Sequence, residues 1–319
     1  MIWLKMCPVC ECAFFHLWGE RAIIRSKAFC SAEQAEDQFL ATRLGVDKIV
    51  RKMSRCTRCG HIFQNPTYSP RELQLLYSNS GPAPSSFYNA AGIAAEKIWG
   101  SDYAKAKIKW RQQHYANLIL HAGASCVVDY GGGQGINLCH PSITHLQRFV
   151  YDFGKKADYY LPGVMPLDSL ESGRRFDFIL HTHVLEHEPY PTDALESLRR
   201  IVSSNGMLYC ETPFEYTERI LTRRPGAIWH VNAFSRKTFA IAAQRAGWNC
   251  INIALRVMPY SHNRILCIVA KLQPASGKRL QRRILLPPTL FDMLRAFVFR
   301  IINAFANKAA PLFRRDSMR

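Results

Sequence analysis

Val127-Val-Asp-Tyr-Gly-Gly-Gly-Gln-Gly135 joins a short β-branched run to a turn that is rich in glycine. Within it, Asp129 begins the pattern D-x-G-x-G-x-G, and Gly131, Gly133 and Gly135 occupy its glycine positions. Glycine lets the backbone turn sharply and come close to a ligand. The stretch therefore predicts a buried strand followed by a loop that holds a bound molecule, with a purely structural turn as the alternative.

The acid in this stretch indicates the kind of ligand. A carboxylate at Asp129 suits a molecule with an amino group and ribose hydroxyls, whereas it would repel a pyrophosphate. The dinucleotide fingerprint G-x-G-x-x-G also fails, because its last position, counted from Gly131, is Ile136. The phosphate-binding pattern G-x-x-x-x-G-K-S/T does not occur in the sequence.

A second acid ends the next strand-like run. Asp152 closes the run Val150-Tyr-Asp152 about 20 residues after the glycine loop. An acid at this place can accept hydrogen bonds from both ribose hydroxyls. The alternative is an aspartate that caps a helix or a turn.

Apolar strand-like runs alternate with amphipathic helical segments from about residue 125 to residue 272, which predicts an α/β fold with a mostly parallel sheet. The last two runs are joined only by Val257–Asn263, which is too short for a helical crossover, so these strands should pair antiparallel. The predicted strands are Cys126–Tyr130, Phe149–Asp152, Phe176–His181, Gly206–Thr212, Cys250–Arg256 and Arg264–Lys271.

Two further stretches carry a resemblance to a known family. Phe176-Asp-Phe-Ile-Leu-His-Thr-His-Val-Leu-Glu-His187 is similar to the fourth-strand motif of class I methyltransferases, and Ile201-Val-Ser-Ser-Asn-Gly-Met-Leu-Tyr-Cys-Glu-Thr-Pro213 is similar to their glycine turn and fifth strand. The resemblance implies a Rossmann-like seven-stranded methyltransferase sheet with a terminal antiparallel hairpin. It also implies S-adenosylmethionine as the cofactor, bound across the carboxyl ends of the strands.

The same resemblance implies positions for the cofactor. Asp129 and the loop glycines would surround its methionine part, and Asp152 would hold the ribose. Asp168, with Ser169, would border the adenine. His183 would lie just past the fourth strand, facing the cofactor or the substrate, and is a second catalytic candidate.

Two C-x-x-C pairs near the start of the chain can present four thiolates to one metal ion: Cys7 with Cys10, and Cys56 with Cys59. The 45 residues between the pairs exceed the usual spacing of a zinc ribbon, but Gly60 follows the second pair, as a zinc knuckle often requires. Incidental or redox cysteines are the alternative. Cys12 can replace Cys10 as a ligand, and the pattern gives Cys30 no role.

The arrangement around the second pair resembles a module that begins many methyltransferases of sugar and surface-polysaccharide pathways. The match is Cys59-Gly-His-Ile-Phe-Gln-Asn-Pro66, followed by Leu73–Tyr77 in place of the family's L-x-x-L-Y. The resemblance implies a small zinc-ribbon-like module. Four thiolates leave no open position on the metal, so the expected Zn²⁺ is structural.

The best candidate for a general base is His230, in Trp229-His-Val-Asn-Ala-Phe-Ser235 before a helix predicted at Arg236–Ala246. The segment is similar to the family's H-x-x-x-F-S. Relatives that methylate sugar carbon use this histidine in proton removal, with a tyrosine and a glutamate just before it. Ala227 and Trp229 occupy those places here, which favours an oxygen target. The alternatives are a buried structural role for His230 and, for Glu186 and His187, a role in stabilising the loop after the fourth strand.

The composition is that of a globular protein with an unusually basic surface. The 319 residues are 48% hydrophobic and 21% charged, with a formal net charge of +18. We expect a zinc-binding module at 1–70, a helical linker or cofactor lid at 71–124, the methyltransferase domain at 125–275 and a basic amphipathic tail at 276–319. The 11 cysteines and the lack of a signal peptide or spanning segment indicate a cytoplasmic protein with reduced thiols.

Apolar residues recur at helical spacing between Leu290 and Phe313, within a tail rich in lysine and arginine. Such a helix can lie in a membrane interface, so residues 278–319 predict a peripheral contact at the inner face of the membrane. Packing on the protein's own domain or on a second subunit is the alternative.

The sequence leaves three functions open. The first is methyl transfer to a small-molecule or carbohydrate-linked acceptor. The second is nucleic-acid methylation, which the sequence does not favour because no amino-methylation motif and no platform of aromatic and basic residues is evident. The third is a non-catalytic scaffold that binds S-adenosylmethionine.

Overall fold

The computed structural model describes residues 1–24, 39, 41–77, 102–153, 160–170, 173–216, 220, 230–260 and 263–275. Strands and helices follow one another in this order: β1 (Phe15–Ile24), β2 (Lys48–Cys56), β3 (Ile62–Gln64), α1 (Pro70–Tyr77), α2 (Asp102–His121), β4 (Cys126–Tyr130), β5 (Gln147–Tyr151), β6 (Met165–Pro166), β7 (Phe176–Thr182), α3 (Pro191–Ile201), β8 (Val202–Pro213), β9 (Asn232–Ala233), α4 (Arg236–Arg245), β10 (Trp248–Tyr260) and β11 (Asn263–Pro274). Short 3-10 turns lie at Ile136–Leu138, Pro141–Ile143 and Leu185–His187.

The main sheet has seven strands in the order β10-β11-β8-β7-β4-β5-β6. The strands from β8 to β6 in this order are parallel, whereas β11 pairs antiparallel with both β8 and β10. Val127, Val128, Ile179 and Leu180 are fully buried, as central strands covered on both faces require. The α/β class, the seven-stranded Rossmann-like sheet and the antiparallel hairpin at its edge are confirmed.

The strands differ in detail from the sequence prediction. β6, which is not among the predicted strands, is only the pair Met165–Pro166, and residues 154–159 lie outside the described part of the chain. β8 begins at Val202 rather than Gly206, and its register with β7 shifts between Phe176 and Phe178. Gly206 lies in this irregular stretch, where a Cβ atom would come within 2.8 Å of the Phe176 carbonyl oxygen.

Helices cover both faces of the sheet. On one face, Tyr115, Ala116 and Ile119 of α2 pack in the same buried cluster as Val127 and Phe178. On the other face, α3 and α4 contribute to the largest buried cluster. Ser235 caps α4, since its hydroxyl accepts a hydrogen bond from the Thr238 backbone N–H at 3.2 Å.

A second sheet of four strands holds the N-terminal region, in the order β1-β2-β3-β9. Its last strand, Asn232–Ala233, belongs to the segment that follows β8, and pairs with Ile62 and Phe63 of β3. The N-terminal region is thus hydrogen-bonded directly to the chain segment that carries His230. The division of the chain near residue 70 stays a prediction.

Among the described residues, no helix is long and apolar enough to cross a membrane. The basic tail at 276–319 lies outside the described residues, as do Cys30, Ala227 and Trp229.

Candidate functional site

The glycine loop begins where β4 ends, and its backbone requires glycine. Gly131 and Gly135 have φ angles of 70° and 83°, which side chains of L-residues rarely adopt. A Cβ atom on Gly131 would overlap a methyl group of Val184, and one on Gly135 would lie 2.8 Å from Val164 Cγ2. The Gly131 N–H donates to the Tyr151 carbonyl at 2.7 Å, which ties the loop to the next strand. Because these glycines have no side chains, the loop can pack closely against Val184 and Val164.

Asp129 lies fully buried below this loop. Asn137 Nδ2 donates to its Oδ2 at 3.0 Å, while no described residue donates to Oδ1. Burial raises the pKa of Asp129 to about 7. A Cβ atom on Gly132 would overlap this carboxylate. A buried carboxylate oxygen with no hydrogen-bond donor is suited to a ligand that carries a donor or a positive charge.

Asp152 follows β5 and faces the same loop. Its Oδ2 accepts a hydrogen bond from the Gly133 N–H at 2.7 Å. The carboxylate is thus oriented by the loop, with capacity for further hydrogen bonds, since an ionised carboxylate has about four acceptor sites.

A cavity of about 410 Å³ opens beside these groups, a size that is usual for sites that bind small molecules. Gly131 and Asp152 lie in its wall, α1 contributes Leu73 and Tyr77, and the other lining residues are Tyr130, Tyr151, Phe153, His183, Val184, His187 and Glu188. The structure thus brings Gly131, Asp152 and His183 to one cavity. Asp129, Gly133 and Gly135 support its wall without being among its lining residues.

Asp168 stands apart from this cavity. It follows β6, is exposed, and is not among the lining residues. The neighbouring Leu167 N–H donates to the Val150 carbonyl at 2.9 Å, so the segment is attached to β5. The role of Asp168 at the adenine stays a prediction.

A buried glutamate lies close to three histidines, two of which, His183 and His187, line the cavity. Glu186 Oε1 lies 3.5 Å from His183 Nδ1, 3.8 Å from His187 Nε2 and 4.0 Å from His230 Nε2. Burial alone would raise the pKa of Glu186, but the hydrogen bond with His183 and the charges of the histidines lower it to about 2. The Thr212 hydroxyl donates to the other carboxylate oxygen at 3.0 Å. Glu186 is thus an ionised carboxylate that can stabilise positive charge on its neighbours.

His183 is held between two carboxylates. Its backbone has a φ of 57°, and its Nε2 lies 2.8 Å from Glu211 Oε1. Although burial disfavours the charged ring, the contacts with Cys267, Glu186 and Glu211 raise its pKa well above the usual value. This environment favours the protonated ring, which has no lone pair with which to accept a proton.

His230 is placed beside this cluster by the start of β9. Its Nδ1 lies 2.6 Å from Glu215 Oε1, and its ring meets the ring of His187 at a centroid distance of 4.9 Å and an angle of 74°. His187 lines the cavity, whereas His230 contacts His187 without being among the lining residues. Glu186, His187 and His230 also place their ligand atoms within 4.8 Å of one another.

Sequence reasoning missed three carboxylates of the site: Glu188, Glu211 and Glu215. Glu188 lines the cavity, and burial raises its pKa to about 7. Glu211 near the end of β8 and Glu215 just beyond it have a signal in the sequence, because acids at the carboxyl end of a parallel strand face the ligand crevice.

The four predicted metal ligands come together at the start of the chain. Cys7 Sγ lies 3.7 Å from Cys59 Sγ, and Cys10 Sγ lies 3.5 Å from Cys56 Sγ. All four ligand atoms lie within 4.8 Å of one another. Tetrahedral zinc with Zn–S bonds of about 2.3 Å requires sulfur–sulfur distances of about 3.8 Å. The four thiols therefore fit a zinc ion.

Two details around the cysteines agree with this fit. The His61 N–H points to Cys59 Sγ at 3.4 Å, and Gly60 has a φ of 81° in the turn between them. Cys12 lies outside the cluster, where its thiol contacts the backbone of Phe14. The structure thus places Cys10 rather than Cys12 in the cluster.

Comparisons with known proteins agree with the fold. Residues 108–253 match the family model Methyltransf_23, described as a methyltransferase domain. None of the curated proteins compared with the chain matches its sequence.

Three solved structures are distantly similar. One is a chain of the complex between the Haloferax volcanii Trm112 methyltransferase activator and a methyltransferase. It is 14% identical with a TM-score of 0.39, and the match covers 56% of this chain and 97% of that chain. A second, a S-adenosylmethionine-dependent methyltransferase from Clostridium acetobutylicum, is 12% identical with a TM-score of 0.41, and the match covers 59% of this chain and 99% of that chain. A third, the N-terminal domain of EvdMO1 in the presence of SAH and D-fucose, is 14% identical with a TM-score of 0.37, and the match covers 51% of this chain and 83% of that chain. Likeness this distant carries no information on the substrate or partner of the present chain.

Proposed function

We propose that this chain, which carries a methyltransferase domain over residues 108–253, transfers the methyl group of S-adenosylmethionine to an oxygen of a small or carbohydrate-linked acceptor. The family match and the seven-stranded sheet support the general statement, a methyltransferase that uses S-adenosylmethionine. The observation that carries the proposal is the cavity between the glycine loop and Asp152.

The donor half of the site is built from groups that suit a cation. When bound, S-adenosylmethionine supplies an electrophilic methyl group on a positively charged sulfur. We propose that Asp129 and the loop of Gly131, Gly133 and Gly135 hold its methionine part. Asp152 would hold the ribose hydroxyls, and Asp168 would border the adenine. Two observations support this assignment: no described residue donates to Asp129 Oδ1, and the loop glycines have no side chains that would fill the space beside it.

The acceptor half needs a proton acceptor, because an uncharged hydroxyl must lose its proton as the new C–O bond forms. We propose His230 for this role, since an imidazole commonly titrates near neutral pH. The resemblance supports an oxygen target. Carbon-methylating relatives have a tyrosine and a glutamate just before this histidine, and this chain has Ala227 and Trp229 in those places. His183 lines the cavity, and we propose that its imidazolium shapes the acceptor side rather than accepts the proton.

The cysteine cluster has a separate task in this proposal. Zn²⁺ bound by Cys7, Cys10, Cys56 and Cys59 would have no open position, so it would stabilise the N-terminal sheet without taking part in methyl transfer. The distances between the thiols support this role.

The test is methyl transfer itself. The purified protein is incubated with methyl-labelled S-adenosylmethionine and hydroxyl acceptors drawn from sugars, sugar nucleotides and glycolipids, and labelled products are identified. We expect His230→Ala to bind the donor as the parent does, while its turnover falls at least about 100-fold. His140→Ala, at an outlying histidine that bonds to Ser142, is the matched control and should keep full turnover.

Two results would contradict the proposal. Full turnover by His230→Ala would remove the assigned base, and labelled nucleic acid as the main product would replace the acceptor class. Donor binding without transfer to any acceptor would favour the scaffold.

A further inference from the structure

Glu188 is a cavity residue that the sequence analysis did not single out. It follows the short 3-10 turn Leu185–His187 and is among the residues that line the cavity. Its backbone is fixed on both sides: the Glu188 N–H donates to the Leu185 carbonyl at 3.3 Å, and the Glu188 carbonyl accepts a hydrogen bond from Asn232 Nδ2 at 2.6 Å. The backbone therefore holds Glu188 at the cavity without any contact made by its side chain.

The carboxyl group of Glu188 has no hydrogen bond or ion pair with a described residue. Burial raises its pKa to about 7, because no described group compensates a negative charge at this place. Burial and the charge of Glu188 also raise the pKa of Tyr130 and of Tyr151, so the carboxyl group lies near both rings. The described lining of the cavity contains no lysine or arginine. These surroundings suit a ligand that brings a positive charge of its own.

The order of the strands places Glu188 and Asp152 on two sides of the same strand end. β4 lies between β5 and β7 in the sheet. Asp152 follows β5, and Glu188 follows β7 by way of the 3-10 turn. Tyr130 and Gly131, where β4 ends, also line the cavity. A ligand bound across the carboxyl ends of these strands would therefore have Asp152 on one side and Glu188 on the other.

The proposed function assigns the methionine part of the donor to Asp129 and the loop, and the ribose to Asp152, which leaves the positively charged sulfur without a carboxylate. We propose that Glu188 recognises this sulfonium, and that the site thereby favours the charged donor over the neutral product. The inference deepens the proposed function and rests on it. S-adenosylhomocysteine has the same ribose and the same amino acid end but an uncharged thioether sulfur, so an ionised Glu188 attracts the donor more strongly than the product.

Binding measurements can separate the charge from the rest of the ligand. Calorimetric titration at pH 8, where Glu188 is largely ionised, compares S-adenosylmethionine, S-adenosylhomocysteine and sinefungin, an analogue in which a protonated amine replaces the methylated sulfur. We expect the isosteric Glu188→Gln to weaken binding of both cations at least about tenfold, because it removes the opposite charge. The affinity for S-adenosylhomocysteine should change by less than about twofold.

Matched variants separate recognition of charge from other effects. Asp152→Asn, in the same cavity, should weaken the donor and the product by similar factors, since both carry the ribose. Glu188→Asp keeps the negative charge and should keep most of the preference for the cations. Glu196→Gln removes an exposed carboxylate that pairs with Arg200 on α3, and should leave all three affinities unchanged.

The parent protein allows a second measurement, which stays decisive if Glu188→Gln does not fold. Carboxyl-carbon NMR spectra of protein with isotope-labelled glutamate follow the titration of Glu188. We expect S-adenosylmethionine to lower its midpoint by at least about 1 pH unit and S-adenosylhomocysteine to leave it nearly unchanged. The other titratable groups that line the cavity are Tyr77, Tyr130, Tyr151, Asp152, His183 and His187.

The inference is overturned if Glu188→Gln weakens donor and product alike or weakens neither, or if the two ligands shift the midpoint of Glu188 equally. A parent that binds neither ligand would overturn it together with the proposed function. Because these measurements need no acceptor, selective loss of the cations in Glu188→Gln, with no methyl transfer by the parent, would refute the proposed transfer alone. Methyl transfer by a parent whose Glu188→Gln variant binds all three ligands normally would refute the role of Glu188 alone.

Discussion

Asp129 is a buried carboxyl group beside the glycine loop. Its carboxyl group is fully buried, and Asn137 is the described side chain that donates to it. With the pKa of Asp129 raised by burial to about 7, the folded protein retains a proton there at pH values where the unfolded chain has lost it. Protonation of Asp129 therefore stabilises the folded, ligand-free protein, and this contribution to the free energy of unfolding grows as pH falls from about 7 to about 4.

Binding of a positively charged donor should reverse this preference and release the proton. We predict that the affinity for S-adenosylmethionine rises with pH up to about 7, and that calorimetry near pH 6 in two buffers of different protonation enthalpy detects the released proton. The isosteric Asp129→Asn should release none from this position and bind at least about tenfold more weakly.

Glu188 needs a control of its own, because its pKa is also raised by burial to about 7. Glu188→Gln should keep the proton release that belongs to Asp129. Equal proton release by the parent and Asp129→Asn would refute the assigned role of Asp129.

At the scale of elements, the glycine loop offers a comparison between two glycines with similar backbones. Gly131 and Gly123 have φ angles of 70° and 64°, but a Cβ atom at Gly131 would overlap Val184, whereas one at Gly123 would meet nothing within 4 Å. We predict that Gly123→Ala lowers the free energy of unfolding by about 1 kcal/mol through backbone strain alone and leaves donor affinity unchanged.

Gly131→Ala should add the overlap to the same strain. We expect it to weaken binding of S-adenosylmethionine at least about tenfold, since the loop must move away from Val184, and calorimetric titration measures this. Donor affinities that are equal in the two variants would show that the loop does not shape the site.

The pairing of β3 with β9 connects the cysteine cluster to the segment that begins at His230. His61, two residues after Cys59, contacts Asn232 Oδ1 through Nε2 at 2.9 Å, and Asn232 Nδ2 donates to the Glu188 carbonyl at 2.6 Å. The Gln64 N–H also donates to the Val231 carbonyl at 2.7 Å. Loss of a bound metal should therefore loosen the segment that begins at His230.

We predict that Cys56→Ser removes the single zinc ion that a site of four thiolates implies for each chain, and accelerates amide exchange at Gln64. Exchange of the Gly131 amide, which bonds to Tyr151, should stay slow. Cys12→Ser, outside the cluster, is the matched control. Metal content unchanged by Cys56→Ser would contradict the cluster, and unchanged exchange at Gln64 would contradict the connection.

The same elements show what the sequence could and could not predict. Strands such as β4 and β7 were predictable because their runs of buried apolar residues are continuous, and Asp129 and Asp152 because they stand at strand ends. β6 and β9 have two residues each, which is too short for any periodic pattern. The pairing of β9 with β3, and that of Glu215 with His230, depend on tertiary contacts between distant segments.

At the scale of the whole molecule, the net charge of +18 has no counterpart in the cavity, whose described lining includes the carboxyl groups of Asp152 and Glu188 and no lysine or arginine. The tail at 278–319 is rich in lysine and arginine and lies outside the described residues. Because apolar residues recur at helical spacing in this tail, we propose that it makes a peripheral contact with the inner face of a membrane. A glycolipid acceptor would be compatible with such a contact.

We predict that the full chain floats with anionic liposomes and that removal of residues 278–319 abolishes flotation while leaving donor affinity unchanged. Raised salt should weaken the binding, because part of the attraction is electrostatic. Flotation that persists without the tail would assign the contact to another surface.

The cavity between the glycine loop and Asp152 is the proposed binding site of S-adenosylmethionine. A crystal structure of the protein with S-adenosylhomocysteine, the demethylated product, would locate the cofactor. We predict that the ribose hydroxyls lie within hydrogen-bond distance of Asp152 and that the amino acid part lies against Gly131 and above Asp129. Well-ordered product bound elsewhere, with this cavity vacant, would contradict the account.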